Sequence, residues 1–148
     1  MATLYLLDTN ILVHLIRADA LGQHIRTTYA PLLTEPRPCI SIVTEGELRS
    51  LALQWQWGAR RTEQMRFLLH YFWRIPLETP DVLTAYATID AYSEQTGRSM
   101  GKNDVWIAAA THVLGACLLT TDKDFDHLHP TLITRDWIDP DHREPSQG

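Results

Sequence analysis

Cysteine is scarce in this 148-residue chain, which contains only Cys39 and Cys117, each within a short apolar run. One pair of cysteines makes neither a disulfide framework nor a zinc site, so we expect both to be reduced and buried in strands. Long apolar stretches are also absent, since none reaches the length of about 18 residues that a membrane-spanning helix needs. The N-terminus has no basic segment, and Asp8 interrupts its apolar stretch. We therefore expect no signal peptide, no membrane contact and a cytoplasmic location.

Basic residues are outnumbered by acidic ones. The chain has 13 Lys and Arg against 18 Asp and Glu, a formal net charge of −5 and a pI near 5.7. This balance argues against a general nucleic-acid binder, which is normally basic. It is compatible with a site that gathers carboxylates around a metal ion, because the ion restores positive charge locally.

The overall amino-acid composition is typical of one globular domain. Apolar residues make up 45 % of the chain and charged residues 21 %. We expect a single domain over residues 1–138 and a polar, proline-containing tail over residues 139–148. No internal repeat is evident.

Strand-like and helix-like segments alternate along the chain. The expected helices cover 10–18, 20–30, 44–57, 59–73, 80–96 and 103–114, and the expected strands 3–7, 39–43, 74–78, 116–120 and 131–134. The strands are continuous apolar runs rather than alternating ones, which is typical of a parallel sheet covered on both faces. The sequence predicts a three-layer α/β/α sandwich around a mainly parallel sheet of four to five strands.

Acidic residues follow three of these strands. Asp8 comes directly after the first strand, and Glu45 and Glu47 come after the second. The strand at 116–120 is followed by three more acids, Asp122, Asp124 and Asp126. Asp104 lies in the first turn of the preceding helix, which runs antiparallel to that strand. Because ligands of such folds bind beyond the carboxyl ends of the strands, we expect these carboxylates to converge there.

Converging carboxylates repel one another unless they are protonated or bridged by a cation. Oxygen-only ligands favour Mg²⁺ or Mn²⁺ over zinc. A metal held in this way orients and activates a water molecule and neutralises a phosphodiester, which is the chemistry of nucleic-acid hydrolysis.

Each acid also has a purely structural interpretation. Thr44 and Glu47 match a capping box, in which the glutamate binds the Thr44 backbone amide. Asn103 can cap the helix that Asp104 begins, with Asp104 as an ordinary first-turn acid. Asp122 to Asp126 can form a solvated turn. Asp8 is the hardest to explain locally, because nothing near it requires an acid.

Four motifs together resemble a known family. The segments YLLDTNIL, SIVTEGEL, GKNDVWIAAAT and LLTTDKDF occur in the order and at about the spacing found in PIN-domain ribonucleases. They look most like the VapC-type toxins of bacterial toxin–antitoxin pairs, and the resemblance spans residues 3 to about 128. It implies a PIN-like fold and an endoribonuclease that depends on Mg²⁺ or Mn²⁺ and acts on tRNA or other structured RNA.

The resemblance also implies roles for individual residues. Asp8 and Asp104 would be the principal metal ligands. Glu47 and Asp122 would complete an acidic quartet, directly or through metal-bound water.

Three further positions match the family's motifs. Thr120 would orient water or phosphate, Asn10 would position Asp8 by hydrogen bonding, and Asp124 would be a secondary ligand. Glu45 has no counterpart in the family pattern and is left out of the expected site.

The partners implied by the resemblance are an RNA substrate, a cognate antitoxin and a second copy of the chain in a homodimer. The middle helices are rich in aromatic residues, which pack in the core or form a dimer or antitoxin groove. Scattered basic residues are interpreted as a solvated surface or as phosphate contacts. They are Arg49, Arg60, Arg61, Arg66, Arg98 and Lys102.

Two other functions compete with a nuclease. A haloacid-dehalogenase-type phosphatase also begins with a strand and an aspartate, but it needs a second acid two residues later, where this chain has Asn10. A catalytically weak PIN-like interaction module would be expected to have lost some of the four acids, and all four are present.

Overall fold

The computed structural model describes residues 2–30 and 34–141. The expected tail therefore lies outside the described residues from position 142 onward. In chain order the helices and strands are β1 Tyr5–Leu7, α1 Thr9–Arg17, α2 Ala20–Tyr29, β2 Cys39–Ser41, α3 Ile42–Gln54, α4 Ala59–Tyr71, β3 Trp73–Ile75, α5 Pro80–Gln95, α6 Lys102–Leu114, β4 Cys117–Thr120, a 3₁₀-helix Lys123–Leu128 and β5 Thr134–Trp137.

The strands form one five-stranded sheet in the order β3-β2-β1-β4-β5, and every pair is parallel. β1 lies at the centre, with Leu6 opposite Cys39 of β2 and Leu118 of β4. The predicted parallel α/β architecture is confirmed. The central position of β1 brings the residue that follows it, Asp8, between the ends of two neighbouring strands.

Alternate residues of the central strands enter two separate cores. Leu7 and Leu119 pack with buried residues of α1, α2, α3 and α4 on one face of the sheet. Leu6 and Leu118 pack with α5 and α6 on the other face. Because side chains of a strand alternate between faces, strands buried on both faces are apolar throughout, which is why they read as continuous runs. The sheet is therefore the middle layer of a three-layer sandwich, with one core on each of its faces.

Local signals explain several helix ends. Thr79 caps α5 by accepting a hydrogen bond from the Val82 amide at 3.2 Å, and Pro80 occupies the first helical position. Gly115 ends α6 with φ = 60°, a left-handed conformation that glycine adopts without steric cost. Both ends agree with the sequence prediction.

Several predicted boundaries were wrong, and three of them have a local explanation. The strand expected over 39–43 ends at Ser41, whose hydroxyl accepts from the Val43 amide at 3.1 Å and starts α3 there. The strand expected over 74–78 covers 73–75 instead, ahead of Pro76, which has no amide hydrogen to donate. The last strand begins at Thr134, because the amide of Ile133 bonds back to the Leu128 carbonyl oxygen and closes a turn.

Two expectations from the sparse residue types can be checked in the described residues. Both cysteines are free and buried, as predicted. Among residues 2–30 and 34–141, no helix combines the length and the hydropathy needed to cross a bilayer.

Candidate metal centre

Asp8 lies at the carboxyl end of β1 and caps the start of α1. Its side chain is only 4 % exposed, yet both oxygens have donors. Oδ1 accepts from the Thr9 amide at 2.8 Å, and Oδ2 accepts from the Thr120 hydroxyl at 2.7 Å. Burial raises the pKa of Asp8 to about 6, although the hydrogen bonds from Thr120 and Thr9 lower it. Asp8 is therefore a buried carboxylate that the chain holds in a fixed orientation.

Thr120 connects two of the predicted site residues. Its side chain is fully buried; the hydroxyl donates to Asp8 and accepts from the Asp122 amide at 2.9 Å. The hydroxyl has a single hydrogen, and that hydrogen is used by Asp8. The expected contact of Thr120 with water or phosphate stays a prediction, and the structure shows a supporting role for its hydroxyl. It positions Asp8 and the segment that carries Asp122.

Three acidic side chains come together beside Asp8. One carboxylate oxygen from each of Asp104, Asp122 and Asp124 lies within 4.8 Å of the other two. Asp104 is in the first turn of α6, and Asp122 caps the 3₁₀-helix by accepting from the Asp124 amide at 2.9 Å. The tight turn after β4 and the start of α6 therefore deliver carboxylates to one point.

Asp104 shows how strongly the acids act on one another. Burial raises its pKa to about 7, and the charges of four other carboxylates raise it further: Asp8, Asp122, Glu47 and Asp124. The expected quartet is brought together, and Asp124 joins it.

Glu47 enters the site from α3 rather than capping it. Its Oε1 accepts from the Thr9 hydroxyl at 2.7 Å, and that hydroxyl lies 3.1 Å from the hydroxyl of the buried Thr44. The capping-box interpretation was wrong, because α3 is capped by Ser41 and already includes Thr44. The sequence analysis missed Thr9 and Thr44 as supports of Glu47. The sequence signal that could have identified them is a threonine within each acidic motif, Thr9 in DTN and Thr44 in TEGE.

Other expected roles differ in the structure. Gly101, and not Asn103, is the N-cap of α6, and no side chain caps that helix end. Asn10 is exposed on α1, and among the described residues the donors to Asp8 are Thr9 and Thr120. Asn10 therefore does not position Asp8 here.

Two acids near the strand ends have cationic partners outside the cluster. Glu45 pairs with Arg74 at 2.6 Å and Arg49 at 3.2 Å, and Asp126 pairs with Arg135 at 3.2 Å. The exclusion of Glu45 from the expected site agrees with this geometry.

The donor set fits a hard divalent cation. Every candidate ligand is a carboxylate oxygen, the coordination that Mg²⁺ and Mn²⁺ prefer. The neighbouring carboxylates raise the pKa values of Asp8 and Asp104. A bound cation would remove this repulsion.

Comparisons with known proteins agree with this geometry. The family model described as PIN domain matches residues 5–129. Ribonuclease VapC1 of Haemophilus influenzae is 28 % identical over 138 residues, which cover 90 % of this chain and 98 % of that protein.

Solved structures show the same fold. VapBC-1 from nontypeable Haemophilus influenzae has a TM-score of 0.75 at 25 % identity and covers 91 % of this chain and 98 % of its own. VapBC2 from Rickettsia felis, bound to a promoter DNA fragment, has a TM-score of 0.76 at 20 % identity and covers 93 % and 100 %. FitAB bound to IR36 DNA has a TM-score of 0.74 at 22 % identity and covers 97 % and 99 %.

Proposed function

Since this chain belongs to the PIN domain family, we propose that it is a metal-dependent endoribonuclease that hydrolyses RNA phosphodiester bonds at its carboxylate cluster. The observation that carries the proposal is the convergence of Asp8, Glu47, Asp104 and Asp122 at the carboxyl ends of the parallel strands. The neighbouring carboxylates raise the pKa values of Asp8 and Asp104, and their repulsion costs stability when no cation is bound. A Mg²⁺ or Mn²⁺ ion held by the cluster for catalysis would account for this loss of stability.

The cluster residues divide into ligands and supports. Asp104, Asp122 and Asp124 would hold the ion, with Asp8 and Glu47 completing its surroundings directly or through water. When bound, the metal supplies charge neutralisation for a phosphodiester and lowers the pKa of coordinated water. Thr120 keeps Asp8 oriented and favours its charged form, because a hydrogen bond to a carboxylate lowers its pKa. Thr9 orients Glu47 in the same way from α1.

The names of the relatives support a proposal for the substrate and the partners. One relative is named a ribonuclease, and the structural neighbours are toxin–antitoxin complexes. We propose that this chain is the toxin of such a pair, acts on tRNA or other structured RNA, binds a cognate antitoxin and forms a homodimer. Large apolar side chains on its surface are suited to protein contacts, with Leu53 81 % exposed, Phe67 62 % and Trp73 59 %.

Cleavage of an RNA panel that includes tRNA tests the activity. The purified chain is expected to cleave RNA with Mg²⁺ or Mn²⁺ and to lose cleavage when a chelator is added. Asp104→Asn removes a ligand and should lower the rate by at least about 100-fold, because ligand geometry and charge are both lost.

Asp81→Asn is the matched control, because Asp81 is an exposed first-turn acid of α5 outside the cluster. It should cleave like the wild type. A wild-type chain that is inert on the whole panel with both metals would support the interaction-module alternative. The phosphatase alternative is disfavoured, because Asn10 is an exposed amide and cannot protonate a leaving group as an acid does.

A further inference from the structure

A second charged site lies at the opposite end of α1 from the carboxylate cluster. A cavity of about 440 Å³ is enclosed by the last turn of α1, by α2 and by the first turns of α4. Four arginines line it, and no acidic residue does: Arg17, Arg26, Arg60 and Arg61. We call this cavity the arginine pocket. In a chain with net charge −5, it is a marked local concentration of positive charge.

Within the described residues, the arginines of this pocket form no ion pair, although the positive charge of Arg17 lowers the pKa of the nearby Asp19. The basic side chains with ion pairs are elsewhere, at Arg49, Arg66, Arg74, Lys102 and Arg135. Arg26 donates to the Leu15 carbonyl oxygen at 3.2 Å, and Arg17 lies 4.5 Å from the centroid of the Trp55 ring. These contacts orient two guanidinium groups without neutralising them. Asp19 partly offsets the charge of Arg17, and the other three arginines leave the pocket with positive charge suited to an anion.

The placement of Arg60 and Arg61 is unfavourable for the helix that carries them. Both lie in the first turn of α4, where the helix dipole favours acidic residues and disfavours basic ones. They are also adjacent like charges. The two arginines therefore destabilise the start of α4 electrostatically, and a bound anion would offset this cost.

The pocket and the carboxylate cluster are connected by two elements. α1 begins beside Asp8 and reaches the pocket at Arg17, a path of roughly 13 Å for a nine-residue helix. On α3, Glu47 and Gln54 line a cavity of about 510 Å³, and Trp55, directly after this helix, lies 4.5 Å from the Arg17 guanidinium carbon. A stacked RNA strand would cover this distance in about four nucleotides.

We propose that the arginine pocket binds backbone phosphates of the RNA substrate a few nucleotides from the bond that is cleaved. This inference rests on the proposed ribonuclease function and assigns its substrate a second contact. Guanidinium groups bind phosphate oxygens in bidentate fashion and retain their charge at all relevant pH values. An anchor of this kind would hold RNA against the repulsion between its phosphates and the carboxylate cluster.

RNA fits the pocket better than an acidic protein segment does. Because only the length of α1 separates Asp8 from Arg17, one polyanionic strand could reach both sites. An acidic peptide following the same path would meet Glu47 and its neighbouring carboxylates with no metal-bridging phosphate of its own. The binding experiment includes poly-L-glutamate as a probe to separate these two occupants.

The binding test uses the full chain with Asp104→Asn, so that RNA stays intact, and a single-stranded RNA of about 20 nucleotides. Adding Arg60→Gln and Arg61→Gln together should raise Kd about tenfold and lower the slope of log K against log salt by about 1.4. The melting temperature should stay the same or rise, because the first turn of α4 loses unfavourable charge. Arg66→Gln, on the same helix but paired with Glu63, should change Kd less than about twofold.

Unchanged RNA affinity and salt slope in the double variant would overturn the proposal. So would binding of poly-L-glutamate that depends on the two arginines while RNA binding does not. Loss of RNA affinity together with the normal melting temperature supports it.

Cleavage with the native cluster separates this inference from the proposed function. The double variant should raise KM for the long RNA and leave cleavage of an RNA of about two nucleotides unchanged, because a strand that short cannot reach both sites. If the wild type cleaves both and the double variant equals it, the pocket proposal fails and the ribonuclease proposal stands. If the wild type cleaves neither while RNA binding still depends on Arg60 and Arg61, the ribonuclease proposal fails and the phosphate pocket stands.

Discussion

At the scale of single residues, Thr120 has the largest influence on the site without being acidic. Its buried hydroxyl holds the Asp8 carboxylate with its hydrogen and the Asp122 amide with its oxygen. The sequence pointed to Thr120 only through its place in a family motif. Its actual partner, Asp8, is 112 positions earlier in the chain, and only the pairing of β1 with β4 makes them neighbours.

Thr120→Val keeps the shape of the side chain and removes the hydroxyl. We expect the free energy of unfolding to fall by about 1–3 kcal/mol, because buried polar groups lose their partner. The pKa of Asp8 should rise further, since the Thr120 hydrogen bond lowers it. The pH of half-maximal metal-dependent cleavage should therefore move upward, as measured in a pH–rate profile.

Thr120→Ser is the control for this substitution, because it retains the hydroxyl. It should restore the wild-type pH profile even if it loses some stability through the missing methyl group. A Thr120→Val variant with an unaltered pH profile would show that the hydroxyl does not tune Asp8.

At the scale of elements, the turn between α1 and α2 sets the position of the first helix of the site. Asp19 caps α2 by accepting from the Gly22 amide at 2.8 Å, and its other oxygen lies 2.8 Å from Nδ1 of His14. A Cβ atom at Gly22 would overlap the backbone carbonyl of His14. The two helices therefore approach as closely as glycine allows.

Gly22→Ala should destabilise the protein by at least about 2 kcal/mol in urea unfolding, because backbone atoms of α1 cannot move aside as a flexible side chain would. Gly46→Ala is the matched control. A Cβ at Gly46, within α3, meets nothing within 4 Å, so alanine should stabilise the helix by about 0.5–1 kcal/mol. Equal stability of the two variants would contradict the close packing of α1 on α2.

The sequence correctly predicted which segments are helices and which are strands, but it misplaced some of their ends. Ile42 and Val43 are β-branched and follow a strand, so their local preference is for β structure. The Ser41 hydroxyl and the packing of α3 make them helical instead. The start of β5 was misplaced for a related reason, since Ile133 is an apolar residue that fills the core from a turn.

At the scale of the whole molecule, the carboxylate cluster links stability to pH. Asp8 and Asp104 have ordinary pKa values of 3.8, and folding raises them to about 6 and about 7. Between these limits the folded chain binds more protons than the unfolded chain, so stability falls as pH rises. The stability that these two carboxyl groups contribute in their protonated form is fully present below about pH 4. It is lost as the pH rises through 6 to 7.

Without metal, the chain should therefore be less stable at about pH 8 than at about pH 5 in thermal unfolding with a chelator. Mg²⁺ or Mn²⁺ should restore stability at the higher pH, because it binds the ionised cluster of the folded state. Asp104→Asn should flatten the pH dependence and gain on the order of 1 kcal/mol at about pH 8 by removing repulsion. Stability that rises with pH over this range without metal would contradict the coupling of these acids.

The sequence alone determined the alternation of strands and helices, the parallel sheet and the acids at its edge. Those features follow from local patterns, because apolar runs, caps and turn residues lie close together in the chain. Tertiary structure decided which acids share a site: Asp124 joins the cluster, whereas Glu45 and Asp126 pair with arginines. It also decided the hydrogen-bond partners of the acids. Asp8 accepts from Thr120, and Glu47 accepts from Thr9 instead of capping its own helix. These partnerships join residues far apart in sequence, so they depend on strand order and helix packing, which no short segment of the chain contains.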